Sequence, residues 1–168
     1  SVSGTVGGVF TFAVAPLDAA VIDAVTGVVS SATPGASYDI IYTTTGGCPV
    51  NSMETLVVLA IDDPSFTTTP TCDGGTSMVS GAPGGIFSFN VLPTDAAVID
   101  AVTGEITGGS SNTSYDVLYT TTGTCPGTSV ETVVSLTTDD ASFTVTAICS
   151  GATANITGTT GGVFSFNV

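Results

Sequence analysis

The feature that most constrains this 168-residue chain is an internal repeat of 77 residues. The segment Gly7–Phe12 returns in similar letters as Gly84–Phe89 and again as Gly161–Phe166. The segment Ala20–Gly27 returns unchanged as Ala97–Gly104. More than half of the aligned positions are identical, and the alignment needs no gap. Such self-similarity indicates an array of equal structural units, so we expect two periods and the opening of a third.

Alternation of apolar and polar residues predicts β-strands within each period. Phe10 and Phe12 share one face of such a strand, and Tyr38, Ile40 and Tyr42 share one face of another. The chain is rich in Thr, Val and Ser, and Gly and Pro divide it into short stretches, a pattern typical of strands and turns. We therefore predict an all-β fold of tandem seven-strand β-sandwich repeats with a period of 77 residues.

A comparison of the two copies predicts which face of one strand is buried. Val57 and Leu59 keep their identity as Val134 and Leu136, whereas the residues between and after them change. Because core positions tolerate less change than solvent-facing ones, the unchanged pair is expected to face the core.

The segment 95–104 allows two interpretations. It can form a short helix with Thr94 as N-cap and Gly104 just past its end. It can also form a hairpin, with a turn over residues 100–104 and a second strand that starts at Glu105. The turn chemistry of Asp and Gly favours the hairpin.

Composition excludes several classes of function. The chain has no Lys, Arg, His or Trp, and its 14 acidic residues give a net charge of −14. Nucleic acid and anionic lipid are therefore poor partners. Without imidazole, amine or guanidinium groups most catalytic chemistry is out of reach, so we expect no enzyme and assign no catalytic or cofactor-binding residue. The apolar stretch 56–61 is too short to span a membrane.

Four cysteines follow the repeat, two in each period. Their even number, and the absence of any Cys-x-x-Cys pair, argue for disulfides rather than metal thiolates. If the segment between them folds as a hairpin, Cys48 meets Cys72, and Cys125 meets Cys149. The alternative is Cys72 with Cys125 in one unit, which leaves the other two cysteines for neighbours outside this segment.

Two pairs of adjacent carboxylates, Asp62 with Asp63 and Asp139 with Asp140, recur at the expected joint between units. Adjacent carboxylates suit a hard cation, so one interpretation is a calcium site that stiffens the array. The other is that Asp starts a tight turn and supplies solvated charge. No Asp-x-Asp-x-Asp run is present, which favours the turn, and we expect no cofactor.

The segments Gly84–Ser88, Ile99–Ile106 and Tyr115–Pro126, followed by Asp139–Phe143 and Cys149, carry a family resemblance. Together they resemble the bacterial Ig-like repeats of very large Bacteroidota surface proteins, including gliding-motility adhesins. The resemblance implies a seven-strand Ig-like sandwich, export through the type IX secretion system and a place on the cell surface. It supports the hairpin interpretation and identifies no ligand.

These observations predict three segments: a first Ig-like repeat over residues 1–72, a second over 73–149, and the opening strands of a third over 150–168. The expected function is a non-catalytic structural region of an extracellular surface filament or adhesin stalk. Its expected partners are neighbouring repeats of the same chain, and other chains through lateral association into a fibre. The alternative is a glycan- or cell-binding adhesive module in each repeat. The segment 28–36 differs at every position from 105–113, which favours a scaffold over a receptor.

Overall fold

A computed structural model describes residues 6–166, and within them the chain forms fourteen β-strands and no helix. The all-β prediction is confirmed. None of the described residues forms a helix that could cross a membrane. In chain order the strands are β1 Val9–Phe12, β2 Val21–Ile22, β3 Val29–Ser30, β4 Ser37–Thr43, β5 Asn51–Val57, β6 Phe66–Thr71, β7 Gly74–Val79, β8 Ile86–Phe89, β9 Val98–Ile99, β10 Ile106–Thr107, β11 Ser114–Thr120, β12 Thr128–Val134, β13 Phe143–Ile148 and β14 Gly151–Ile156.

The chain divides into two compact units after Asp63. The first unit holds the residues up to Asp63 together with Thr121–Gly127, and the second holds the remainder. The boundary expected between residues 72 and 73 falls in the turn that joins β6 to β7. These two strands pair antiparallel from Phe66↔Val79 to Thr71↔Gly74, so that boundary lies within a single hairpin.

The second unit contains two sheets that enclose one hydrophobic core. One sheet has the strand order β6-β7-β10-β9, and the other has the order β12-β11-β8. Both are antiparallel, and side chains that alternate along each strand point into the space between the sheets. This arrangement is that of a β-sandwich. Its buried core residues are Phe66, Phe87, Ala97, Ile106, Tyr115, Val117, Tyr119 and Val133.

Three aromatic rings form the centre of this core. The Phe66 and Phe87 rings meet edge to face, with centroids 5.4 Å apart. The Tyr119 ring lies 4.5 Å from the Phe87 ring and 5.9 Å from the Phe66 ring. Phe87, Tyr115 and Tyr119 are the second-copy counterparts, 77 residues along, of Phe10, Tyr38 and Tyr42. For the second copy, the predicted inward faces of these strands are confirmed.

The prediction that Val57, Leu59 and their counterparts face the core is wrong. All four side chains are exposed, and the alternate residues of the second copy, Val133 and Ser135, are the buried ones. Ser135 tolerates burial because its hydroxyl donates a hydrogen bond of 2.7 Å to the carbonyl oxygen of Ser110. A change from Val to Ser between copies is therefore compatible with a buried position.

The hairpin interpretation of residues 95–104 is confirmed. Strands β9 and β10 pair through Ile99 and Ile106. In the turn, an Asp100 carboxylate oxygen accepts a hydrogen bond of 2.7 Å from the Thr103 amide, and the Gly104 amide donates to the Asp100 carbonyl at 2.9 Å. Gly104 has a φ of 69°, a left-handed conformation that favours glycine at this position.

The first unit has the counterparts of five of the seven sandwich strands. Its sheets are β1-β4-β5 and the two-stranded β2-β3. Among the described residues, no strand pairs with β3 in the way that β7 pairs with β10. Phe10 and Tyr42 keep their ring contact at 4.7 Å but are only half-buried. This unit therefore has an open core on the side that β6 and β7 cover in the second unit.

Candidate functional site

Asp140, one of the four predicted calcium ligands, lies in a turn before β13. One of its carboxylate oxygens accepts hydrogen bonds from the Ser142 hydroxyl and, at 2.9 Å, from the Ser142 amide. These bonds, that of the hydroxyl first, hold the pKa of Asp140 below its usual value. The carboxylate thus fixes the local chain direction, as the turn interpretation predicts.

Asp62 occupies a different environment from Asp140. Its amide donates a hydrogen bond of 2.8 Å to the Cys125 carbonyl, and its carboxylate lies against Gly123, where no side chain fits. One carboxylate oxygen, Oδ2, is buried without a hydrogen-bond partner. Within residues 6–166, neither these Asp pairs nor any other group of three or more Asp, Glu, Cys or His side chains is gathered in a way that could hold a metal ion.

All four cysteines are free thiols in the structure. The hairpin on which the predicted pairs Cys48–Cys72 and Cys125–Cys149 depend does not form. Strand β5 pairs with β4, and β6 pairs with β7. In the second copy, β12 pairs with β11 and β13 pairs with β14. The segment between the two cysteines of each predicted pair is therefore split between different sheets.

The alternative pair, Cys72 with Cys125, conflicts with the geometry of β12. The Leu136 amide, just past the end of this strand, donates a hydrogen bond of 2.8 Å to the carbonyl of Thr71, next to Cys72. Cys125 precedes Thr128, where β12 begins. A seven-residue strand spans roughly 20 Å, whereas the Cα atoms of a disulfide lie about 4.4–6.8 Å apart. The two thiols thus flank opposite ends of one strand.

A carboxylate and a tyrosine tie the loops of the second unit to its core. The Tyr115 hydroxyl donates a hydrogen bond of 2.6 Å to Asp95, and the Ser110 amide donates to the same oxygen at 2.8 Å. These bonds, chiefly that of Tyr115, lower the pKa of Asp95 to about 2. Burial, and then the bond to Asp95, raise the pKa of Tyr115. Neither group is poised to exchange a proton near neutral pH, so the pair is structural.

The first unit repeats this tie with a different loop residue. The hydroxyls of Tyr38 and Thr33 both donate hydrogen bonds to Asp18, and the Thr33 amide donates at 3.0 Å. The Thr33 hydroxyl is the largest cause of the lowered pKa of Asp18, and Tyr38 is the next. Sequence reasoning missed both aspartates. The signal was that each stays unchanged between copies, as does its tyrosine partner.

No known family model and no curated protein sequence matches this chain. The assignment of a function therefore depends on the residues and their geometry. What the described residues offer is a set of self-satisfied turns, one closed core and one open apolar groove in the first unit. That groove has a volume of about 520 Å³ and includes Val14, Leu17 and Tyr38 in its wall.

Proposed function

We propose that this chain is a non-catalytic structural region of an extracellular surface filament or adhesin stalk, in which tandem Ig-like repeats of 77 residues hold a distal function away from the cell. The Ig-like assignment draws support from the antiparallel sheets β6-β7-β10-β9 and β12-β11-β8, which enclose one core. The surface location and type IX export draw support from the resemblance stated above. The chain's low proportion of charged residues, 8%, suits a passive spacer more than a charged receptor surface.

The observation that carries this proposal is the division between what the two copies keep and what they change. The copies keep the residues that close turns and tie loops to strands, such as Asp23 with Asp100 and Tyr38 with Tyr115. They change the exposed loop that follows β2 and β9. An array that bound the same ligand in every unit would instead keep its loops and vary its scaffold.

A non-catalytic role draws support from the state of the carboxylates. The groups with altered pKa values, Asp18, Asp23, Asp95, Asp100 and Asp140, all have lowered values, and all of them accept hydrogen bonds from backbone amides or hydroxyls nearby. A general acid or base at neutral pH needs a raised carboxylate pKa. These groups have the opposite shift, which is the one that structural hydrogen bonds produce.

Small-angle scattering of a recombinant protein with four repeats tests the proposal. A stalk is expected to have an elongated profile whose maximum dimension grows with each added repeat, and the four carboxylates of the Asp pairs predict little change on addition of a chelator. A compact profile would refute the stalk. A glycan-array screen of the same protein is the second arm. Saturable binding by each single repeat would replace the stalk with the adhesive-module alternative.

A further inference from the structure

We propose that the hairpin β13–β14 of one copy of this chain docks onto the open first unit of a second copy and completes its sandwich. The interaction surface is the exposed edge of β3 together with the apolar groove beside β1 and β4. The partner is a second copy of the same chain, joined head to tail. This inference depends on strand complementarity and not on the proposed function.

The second unit shows what such a docked hairpin does. There, β6 and β7 cover the core, β7 pairs with β10 at Gly75↔Ile106, and Phe66 is only 4% exposed. The turn between the two strands reaches the far end of the sandwich, where the Asp73 carbonyl accepts a hydrogen bond of 2.8 Å from the Gly109 amide. This region is the counterpart of the open groove in the first unit.

The acceptor face has the counterparts of every strand that β6 and β7 contact. Phe10, Ile40 and Leu56 are half-buried, whereas their counterparts Phe87, Val117 and Val133 are buried. The groove of about 520 Å³ lies at the same end as the turn after β6 in the second unit. A hairpin of the β6–β7 type therefore fits both the edge of β3 and the groove.

The donor hairpin matches β6–β7 in length and register. Strands β13 and β14 pair from Phe143↔Ile156 to Ile148↔Gly151, and in the described chain they pair with no other strand. Phe143 is 51% exposed, and Val145 and Ile148 are exposed as well. The core-facing Thr68 of β6 becomes Val145 in β13, so the donor is more apolar than the hairpin it would mimic.

Backbone geometry supports the same register in the docked state. The pair Gly75↔Ile106 becomes Ala152 with Val29, and the bond from Leu136 to Thr71 becomes one from Leu59 to Ile148. Gly74 packs so tightly on the Ile106 carbonyl that no side chain fits, and its counterpart Gly151 is again glycine. A Cβ at position 75 would lie 2.8 Å from a Val133 methyl group, so Ala152 requires the half-buried side chain of Leu56 to rotate aside.

One contact within the chain competes with docking. The Phe143 and Phe164 rings meet edge to face at 5.2 Å, as the Phe66 and Phe87 rings do at 5.4 Å. Phe164 nevertheless lies outside any strand and is 51% exposed. On docking, Phe10 of the second copy replaces Phe164 as the partner of Phe143, in a unit whose remaining strands are already in place.

Light scattering of the purified 168-residue chain over a concentration series is the first test. We expect the mean mass to rise with concentration, and Phe143→Ser to raise the midpoint of assembly by at least about tenfold. The matched control is Phe166→Ser, which removes an equally apolar, 95% exposed ring outside the hairpin and is expected to leave assembly unchanged. A monomer at every concentration, or equal effects of the two variants, would overturn the proposal.

Cross-linking is the second test, and it reads the register directly. In a chain with all four cysteines replaced by serine, Val29→Cys in one copy and Ala152→Cys in a second, mass-labelled copy should form a mixed disulfide on oxidation, because paired antiparallel residues lie about 4.5–5.5 Å apart. Thr153→Cys, whose side chain points to the other face of the strand, is the control and should not cross-link. In a doubly substituted chain, a disulfide within one molecule would show closure in cis and overturn the proposal, as would equal cross-linking by the control.

Discussion

Phe87 and Phe10 occupy the same place in the repeat, and we predict that their removal has different costs. The Phe87 ring is 2% exposed and contacts the rings of both Phe66 and Tyr119. Truncation to alanine leaves an enclosed cavity, so Phe87→Ala should cost about 4 kcal/mol. The Phe10 ring is half-buried and has the Tyr42 ring as its aromatic partner. Its cavity opens to water, so Phe10→Ala should cost only about 2 kcal/mol.

Hydrogen exchange with peptic peptides measures both costs in one chain, because each variant is read on its own neighbouring strand. Phe87→Ala is read on β11, which pairs with β8, and Phe10→Ala is read on β4, which pairs with β1. At about 1.4 kcal/mol per factor of ten, protection should fall about 1,000-fold in β11 and about 30-fold in β4. Equal losses in the two strands would refute the reasoning, since they would mean that the two rings are equally buried.

Three further predictions concern single sites. Because the pKa of Asp95 is lowered to about 2, its stabilising effect is complete above the unfolded pKa near 3.9 and is lost as the pH falls toward 2; Asp95→Asn should therefore flatten the thermal melting profile between pH 4 and pH 2. Gly85→Ala places a Cβ 2.6 Å from the Tyr119 ring and should lower stability by about 2–3 kcal/mol in urea titrations, whereas an unchanged midpoint would contradict the close approach. Mass spectrometry of non-reduced peptides should find no link between Cys72 and Cys125, and such a link would contradict the position of β12.

Local sequence patterns predicted much of the fold because strands and turns depend on nearby residues. The alternation in Tyr115–Tyr119 indicated an inward face, and the structure buries that face in the second unit. The Asp100–Gly104 turn was predictable because a carboxylate at its start and a left-handed glycine at its end determine its shape. These signals lie within a few residues of the structure that they specify.

Predictions that depended on distant partners were less successful. The exposed face of β5 and β12 was predicted in reverse, because Ser135 is buried through a hydrogen bond to Ser110, 25 residues away. The hairpin expected between Cys48 and Cys72 required β5 and β6 to be neighbours, and each strand instead pairs within its own sheet. The tie between Asp95 and Tyr115 joins residues 20 positions apart, and no local pattern marks it.

Phe66 and Phe143 show most clearly where sequence stops and tertiary structure begins. Both start a six-residue strand, both are followed by Thr, and each strand pairs with the next one in the chain. The sequence by itself therefore determined the strand, its direction and its hairpin partner, since these follow from local periodicity and turn chemistry. Phe66 is nevertheless 4% exposed and Phe143 is 51% exposed. Only the tertiary structure decided this difference, because a ring is buried when a second sheet, built from residues far along the chain, lies across from it.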